Sequence, residues 1–209
     1  MRILALLICA LCLTSLGSER TIVCFGDSVT ACTRPPWGSC PVPENETYVA
    51  RLAAALSRTV VNAGLSGSTA GDSVARFDTD VAPHKPEIVV VMFGLNDEYY
   101  SIPVEQYIES ISAIHRKTKR LRAAFVLMTP NPTRDAERNQ RLKPYVEALR
   151  AYAAKQRVRL VDNYTTFAES NIEGTTVESA TYDAIHPNGV GQGVIAGQLI
   201  AAFSVKPTR

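Results

Sequence analysis

Five short apolar runs, separated by longer amphipathic stretches, restrict this chain more than any other feature of its sequence. The runs are Thr21–Phe25, Val60–Ala63, Ile88–Phe93, Ala124–Met128 and Arg159–Asp162. Their length and β-branched content suit strands buried on both faces. Between them, Tyr48–Leu56 sets Val49, Leu52, Ala53 and Leu56 at helical spacing, and Ser73–Val81 gives a shorter helix. Val104–Leu121 carries Tyr107, Ile108, Ile111 and Ile114 on one stripe, with Lys and Arg gathered at its C-terminal end as the helix dipole favours. Asn139–Gln156 and Val190–Phe203 complete the set. The alternation predicts an α/β fold: a three-layer α/β/α sandwich around a flavodoxin-like, parallel five-stranded sheet. With 209 residues and no repeat or low-complexity tract, one domain is expected over residues 18–209.

Residues 1–17 read as a secretory signal. Arg2 supplies a positive start, Ile3–Leu13 is apolar and uncharged, and Ser15-Leu16-Gly17 offers small residues for cleavage. The apolar run is short for a bilayer span, so no integral membrane segment is expected after its removal. A buried first strand or an N-terminal anchor is the competing reading. Export, either secreted or periplasmic, makes a disulfide chemically permissible. Cys32 and Cys40 flank a Pro- and Gly-rich loop and are expected to pair, whereas Cys24, inside an apolar run, is expected to be a small buried hydrophobe. Two sequons, at Asn45 and Asn163, matter only in a host that glycosylates. The net charge of +2 lacks the basic excess of a polyanion binder, so no nucleic-acid partner is expected. Nothing in the sequence bears on oligomeric state.

In an open parallel sheet, ligands sit beyond the C-terminal strand ends. That singles out Gly26-Asp27-Ser28, Gly64–Ser68, Gly94-Leu95-Asn96-Asp97 and Thr129-Pro130-Asn131. Ser28, on the turn after the first strand, is a candidate nucleophile, but a hydroxyl needs a base within reach. Of three histidines, His84 enters the third strand at the wrong end, and His115 is placed on the outward side of a helix. His186 is different, because Asp183 precedes it by three residues and can hold its ring, while Pro187 restricts its backbone. Asn96 can offer a side-chain N–H, and Gly67 and Ser28 backbone N–H groups, to a developing oxyanion. Gly64 competes with Gly67 for that place. A second Gly-Asp-Ser, at Gly71–Ser73, opens a helix, so Ser73 is expected to be a cap. Asp27 and Asp97 are expected to be turn and network residues.

Taken together, Phe25-Gly26-Asp27-Ser28, Asn62-Ala63-Gly64-Leu65-Ser66-Gly67, Gly94-Leu95-Asn96-Asp97 and Asp183-x-x-His186 resemble the four sequence blocks of the SGNH (GDSL-type) hydrolases. The resemblance runs from about Thr21 to Phe203; Val29 stands where the family usually has Leu or Ile. It implies Ser28 as nucleophile, His186 as base, Asp183 as its orienting partner, and an oxyanion hole of Gly67, Asn96 and the Ser28 amide. It also implies no metal and no organic cofactor.

The activity expected is hydrolysis of short-chain acyl esters through an acyl-serine, with carbohydrate O-acetyl groups as a plausible target. The partner is then a small-molecule or polysaccharide ester. Trp37, Tyr99 and Tyr182 are candidate substrate contacts, and Glu98-Tyr99-Tyr100 is expected at the mouth of the site. Activity should fall in acid as the imidazole takes up a proton. A lysophospholipase or acyl-thioesterase, or a non-catalytic secreted binding protein, would share the fold. A phosphate-binding module fits Val29–Thr33 poorly.

Overall fold

The computed structural model describes residues 21–32, 40–168 and 176–204. Residues 1–17, expected to be a signal, and Trp37 lie outside them. Five strands, β1 (Ile22–Gly26), β2 (Val60–Gly64), β3 (Ile88–Met92), β4 (Ala124–Met128) and β5 (Arg159–Val161), form one all-parallel sheet in the order β2-β1-β3-β4-β5. This is the α/β sandwich the alternation predicts. Every residue of β1 is buried, which explains why it reads as an unbroken apolar run: a central strand has helices on both faces.

The helices are α1 (Ser28–Ala31), α2 (Tyr48–Leu56), α3 (Ala70–Asp80), α4 (Leu95–Tyr99), α5 (Val104–Arg120), α6 (Ala136–Gln156), α7 (Asn163–Ala168), α8 (Val177–Ala180) and α9 (Gly189–Ser204). α2 packs on α9, whereas α3 packs on α5 and α5 on α6, giving the two outer layers. Aromatic edges fill the interior: the Phe25 ring meets Phe77 at 5.8 Å and Phe93 at 5.5 Å, both edge to face. Cys24 is buried and free, and burial pushes its thiol up to about 12, so it acts as the small hydrophobe expected.

Strand register decides where the chemistry can be. Gly26 pairs with both Gly64 and Met92, Met92 with Met128, and Met128 with Val161. The strands therefore stop at one level, and the segments that follow them emerge side by side. Gly64 is required there for closeness: a Cβ on it would lie 2.2 Å from the Ala31 nitrogen, so no other residue lets β2 end against α1.

Two sequence readings are corrected. Ser73 is not a cap, because α3 starts at Ala70: Thr69 accepts from the Asp72 N–H and Asp72 reciprocates, a capping box that places Ser73 inside the helix. His115 does not face outward. It is buried, stacked on the Phe125 ring at 4.5 Å, with Nδ1 2.9 Å from the Tyr152 hydroxyl. Burial, aided by the Lys119 charge, holds its pKa below the ordinary value, which keeps it neutral among apolar neighbours.

Candidate active site

Ser28 sits on the tight exit from β1. Asp27 forms the N-cap of α1, its carboxylate accepting the Val29 N–H at 3.0 Å, which turns the chain so that Ser28 faces solvent rather than the sheet. Asp27 is itself buried, and desolvation pushes its carboxyl up to about 6. It is thus a turn residue, as expected.

His186 arrives from the far end of the chain. Residues 181–187 fold back as a narrow loop: Thr181 bridges Pro187, and the Tyr182 N–H donates to the His186 carbonyl at 3.0 Å. Inside this loop Asp183 does two tasks. Oδ1 accepts the N–H groups of Ile185 (2.7 Å) and His186 (2.6 Å), and Oδ2 lies 2.8 Å from His186 Nδ1. Burial pushes the Asp183 carboxyl up, but the backbone and ring donors of His186 and the Ile185 N–H outweigh it and hold the group below its ordinary value. An ionised carboxylate only accepts, so Nδ1 carries the proton and Nε2 presents a lone pair. Ser28 Oγ, 2.9 Å away, donates to it. Ser28, His186 and Asp183 therefore form one hydrogen-bonded chain across 158 residues of sequence separation.

Beside that chain lies a cavity of about 320 Å³ lined by Ser28, Cys32, Cys40, Ser66, Gly67, Asn96, Tyr182 and His186. Gly67 has φ +80°, a conformation L side chains resist, and open space where a Cβ would be, leaving its backbone approachable. Gly64 does not line the cavity; its N–H is engaged by Asn62 Oδ1 at 3.0 Å. The Asn96 amide donates one N–H to the Ser68 carbonyl at 3.0 Å and has a second to offer. Tyr182 stacks on the His186 ring, 5.7 Å between centroids and 12° from parallel. The Cys32–Cys40 disulfide forms part of the wall.

Tyr99 is not brought into this lining. Its ring is 67% exposed, against Tyr100 at 5.1 Å, with the Arg138 guanidinium 5.7 Å from its centroid. Glu98 does not reach the mouth either; it points inward, accepting from Arg138 Nε at 2.7 Å and Arg141 Nε at 2.8 Å. Asp97 accepts the Ala70 N–H with both oxygens, at 3.0 and 3.2 Å, tying α4 to the start of α3. Desolvation, with the Asp27 charge adding to it, pushes its carboxyl up to about 7.

Three supporting side chains have no forecast in the sequence reading. Arg76 donates to carbonyls at the C-terminal ends of two strands, Gly26, the last residue of β1, at 2.7 Å and Ala63, the penultimate residue of β2, at 2.8 Å, with its guanidinium 4.3 Å from the Phe25 centroid. Arg138 donates to the Leu95 carbonyl at 2.7 Å, next to Asn96. Gln192 accepts the Tyr48 N–H and donates to the Val29 carbonyl, joining α9 to the turn that carries Ser28. Long polar side chains on amphipathic helices resemble solvated ones until packing is known.

Several known proteins are similar to this chain. The acetylxylan esterase of Geobacillus stearothermophilus is 28% identical over 203 residues, covering 87% of this chain and 92% of its own. The crystal structure of an acetylxylan esterase from that organism superposes with a TM-score of 0.74 at 24% identity, over 92% of this chain and 98% of that one, which shows a shared fold. An alpha/beta hydrolase from the Lake Arreo metagenome gives a TM-score of 0.74 at 26% identity, over 90% and 97% of the two chains. Since residues 24–194, reaching from β1 into the last helix and enclosing all four sequence blocks, match the family of GDSL-like lipases and acylhydrolases, the chain belongs to that family.

Proposed function

We propose that this protein is a serine ester hydrolase that removes short acyl groups, acetyl foremost, from carbohydrate. The observation that carries the reading is the Ser28–His186–Asp183 hydrogen-bonded chain opening onto a cavity with oxyanion donors. The Ser28 oxygen attacks the ester carbonyl as its proton moves to His186 Nε2. Asp183 holds the ring and offsets the imidazolium charge. The carbonyl oxygen, now negative, receives N–H groups from Ser28, Gly67 and Asn96. His186 then hands the proton to the departing alcohol, leaving acyl-serine. Water, deprotonated at Nε2, releases the carboxylic acid by the same steps in reverse.

The cavity of about 320 Å³ suits a small acyl group and one sugar better than a long chain, and the acetylxylan esterase relative supports acetyl as the group removed. Tyr182, stacked on His186 at the wall, offers a face to a sugar ring. Trp37 and Tyr99 are proposed as outer contacts only. Export to an oxidising compartment is supported by the Arg2 and Ile3–Leu13 pattern and by the Cys32–Cys40 disulfide.

A series of p-nitrophenyl esters from acetate to palmitate, beside acetylated xylan with free acetate measured, tests the reading. Activity falling with acyl length, and absent in Ser28→Ala, is the expected result. Activity rising with length assigns the site to lysophospholipids or thioesters, and a wild-type protein unlabelled by a fluorophosphonate makes it a binding protein.

A further inference from the structure

We infer that Asn131 and Arg134, on the turn after β4, are positioning residues that clamp the loop carrying Asp183 and His186 against the sheet. The inference rests on the hydrolase reading above and gives the fourth strand end, Thr129-Pro130-Asn131, a task. Surface loops are mobile unless their backbone is tied down. Besides the Ser28 contact to His186 and the Asn188 contact to Thr181, this one is tied through its backbone to the turn after β4. The Arg134 N–H donates to the Ala184 carbonyl at 2.8 Å. Its side chain donates through Nε to Thr181 Oγ1 (2.8 Å), and through Nη2 to the carbonyls of Thr181 (2.6 Å) and Glu178 (2.9 Å). Asn131 Nδ2 donates to the Ile185 carbonyl at 2.9 Å, one residue before His186, and to the Pro132 carbonyl at 2.9 Å.

The chemistry of these contacts is directional. Both partners of the Asn131 amide are carbonyls, so only its NH₂ can face them. The amide is fully buried, and its Oδ1 has no hydrogen-bond partner among the described residues. A buried amide oxygen left unsatisfied is a cost that an apolar residue would avoid. What the asparagine supplies in return is a donor aimed at the main chain beside His186. Arg134 is exposed, yet its planar fork is committed to main-chain and hydroxyl oxygens of residues 178–181. Neither residue touches the cavity, so they act through His186, whose ring must stay within hydrogen-bond reach of Ser28. A misplacement of about 1 Å at such a site can cost about 10²-fold in rate.

The test uses the full-length protein with Arg134→Ala, Arg134→Lys and Asn131→Ala. Arg134→Ala and Asn131→Ala should lower kcat on p-nitrophenyl acetate by roughly 10- to 100-fold with KM within about twofold. The low-field proton resonance of His186 Nδ1–H should broaden or vanish. Arg134→Lys, which keeps a single cationic nitrogen with its donors but not the planar fork, should fall between. A lower melting temperature with unchanged kcat and an unchanged Nδ1 resonance would make both residues stabilising only and overturn the inference. If Arg134→Ala fails to fold, the lysine variant and Asn131→Ala decide it by the same two readings. Wild type that a fluorophosphonate does not label sinks the hydrolase reading itself, whereas a labelled wild type with indistinguishable variants sinks the clamp alone.

Discussion

Replacing Asp183 with Asn separates the electrostatic work of this site from its architecture. The two oxygens of Asp183 are not equivalent: Oδ1 takes two backbone N–H groups and Oδ2 takes the imidazole. An asparagine must keep its oxygen towards Ile185 and His186, because turning the amide would set NH₂ against two N–H donors. Its NH₂ therefore faces His186 Nδ1 and donates. The ring responds by moving its proton to Nε2, the atom that has to accept from Ser28. Two losses follow. The imidazolium formed during attack lacks its counter-charge, worth about 1–3 kcal/mol after discounting for a carboxylate side chain that is 44% exposed. Regaining the productive tautomer costs a comparable amount, since it opposes donor to donor. Together they predict a fall of roughly 10³- to 10⁴-fold in kcat/KM, about 4–5.5 kcal/mol. The loop hydrogen bonds survive the change, so the melting temperature should stay within a few degrees of wild type. The measurement is kcat/KM on p-nitrophenyl acetate from pH 5 to 9, with a thermal melt of the same sample. A folded Asp183→Asn protein keeping more than a tenth of wild-type activity at any of those pH values would refute the tautomer argument.

Asn96→Ala should lower turnover by roughly 10²- to 10³-fold with little change in KM, as removal of one oxyanion donor does; full activity in steady-state assays would remove Asn96 from the oxyanion hole. Opening the Cys32–Cys40 bridge, whose sequence separation is 8, should cost about 2.5 kcal/mol through unfolded-chain entropy, read as a lower urea midpoint in Cys32→Ser/Cys40→Ser. Asp97, pushed up to about 7, and Asp27, pushed up to about 6, hold protons in the folded state that the unfolded chain releases near pH 4. Their contribution is fullest below pH 4 and is lost as pH rises through 6 and 7, so Asp97→Asn should be more stable than wild type at pH 8, by on the order of 2 kcal/mol, and no more stable at pH 4 in denaturant titrations.

How far the sequence could be read follows from what each signal measures. The strands were legible because burial on both faces writes an apolar run with no alternation, and all five were placed within a residue or two. Helix starts were less legible: α3 and α6 begin three residues before the expected starts at Ser73 and Asn139, at caps Thr69 and Asp135, whose signal is one polar residue among many. His115 shows the opposite failure. It lies four residues after Ile111, on the buried stripe, and spacing places it inside; placing it on the basic, outward side of the helix was the misreading. Ser28, Asp183 and His186 were brought together by topology, since a strand end and a loop entering the last helix share one edge of the sheet. Tyr99 could not be judged that way. Spacing sets it near Asn96 but not the direction of its ring, which lies against Tyr100 and the Arg138 guanidinium and is not part of the cavity lining.

The least legible residues share a chemistry. Three arginines hold main-chain carbonyls beside the working edge: Arg76 on Gly26 and Ala63, Arg138 on Leu95, Arg134 on Glu178 and Thr181. Buried main-chain carbonyls where strands and short helices meet loops need donors, and leaving one unpaired is costly. A guanidinium meets two at once in a fixed plane, whereas a lysine offers a point charge on a flexible stem. An arginine can therefore satisfy the backbone and fix the spacing between neighbouring loops in one contact. Ser28, Gly67, Asn96 and His186 come from four segments with no covalent reason to stay in register. The strands set the level at which the segments emerge, and side-chain donors such as these arginines bind neighbouring segments to one another across that edge.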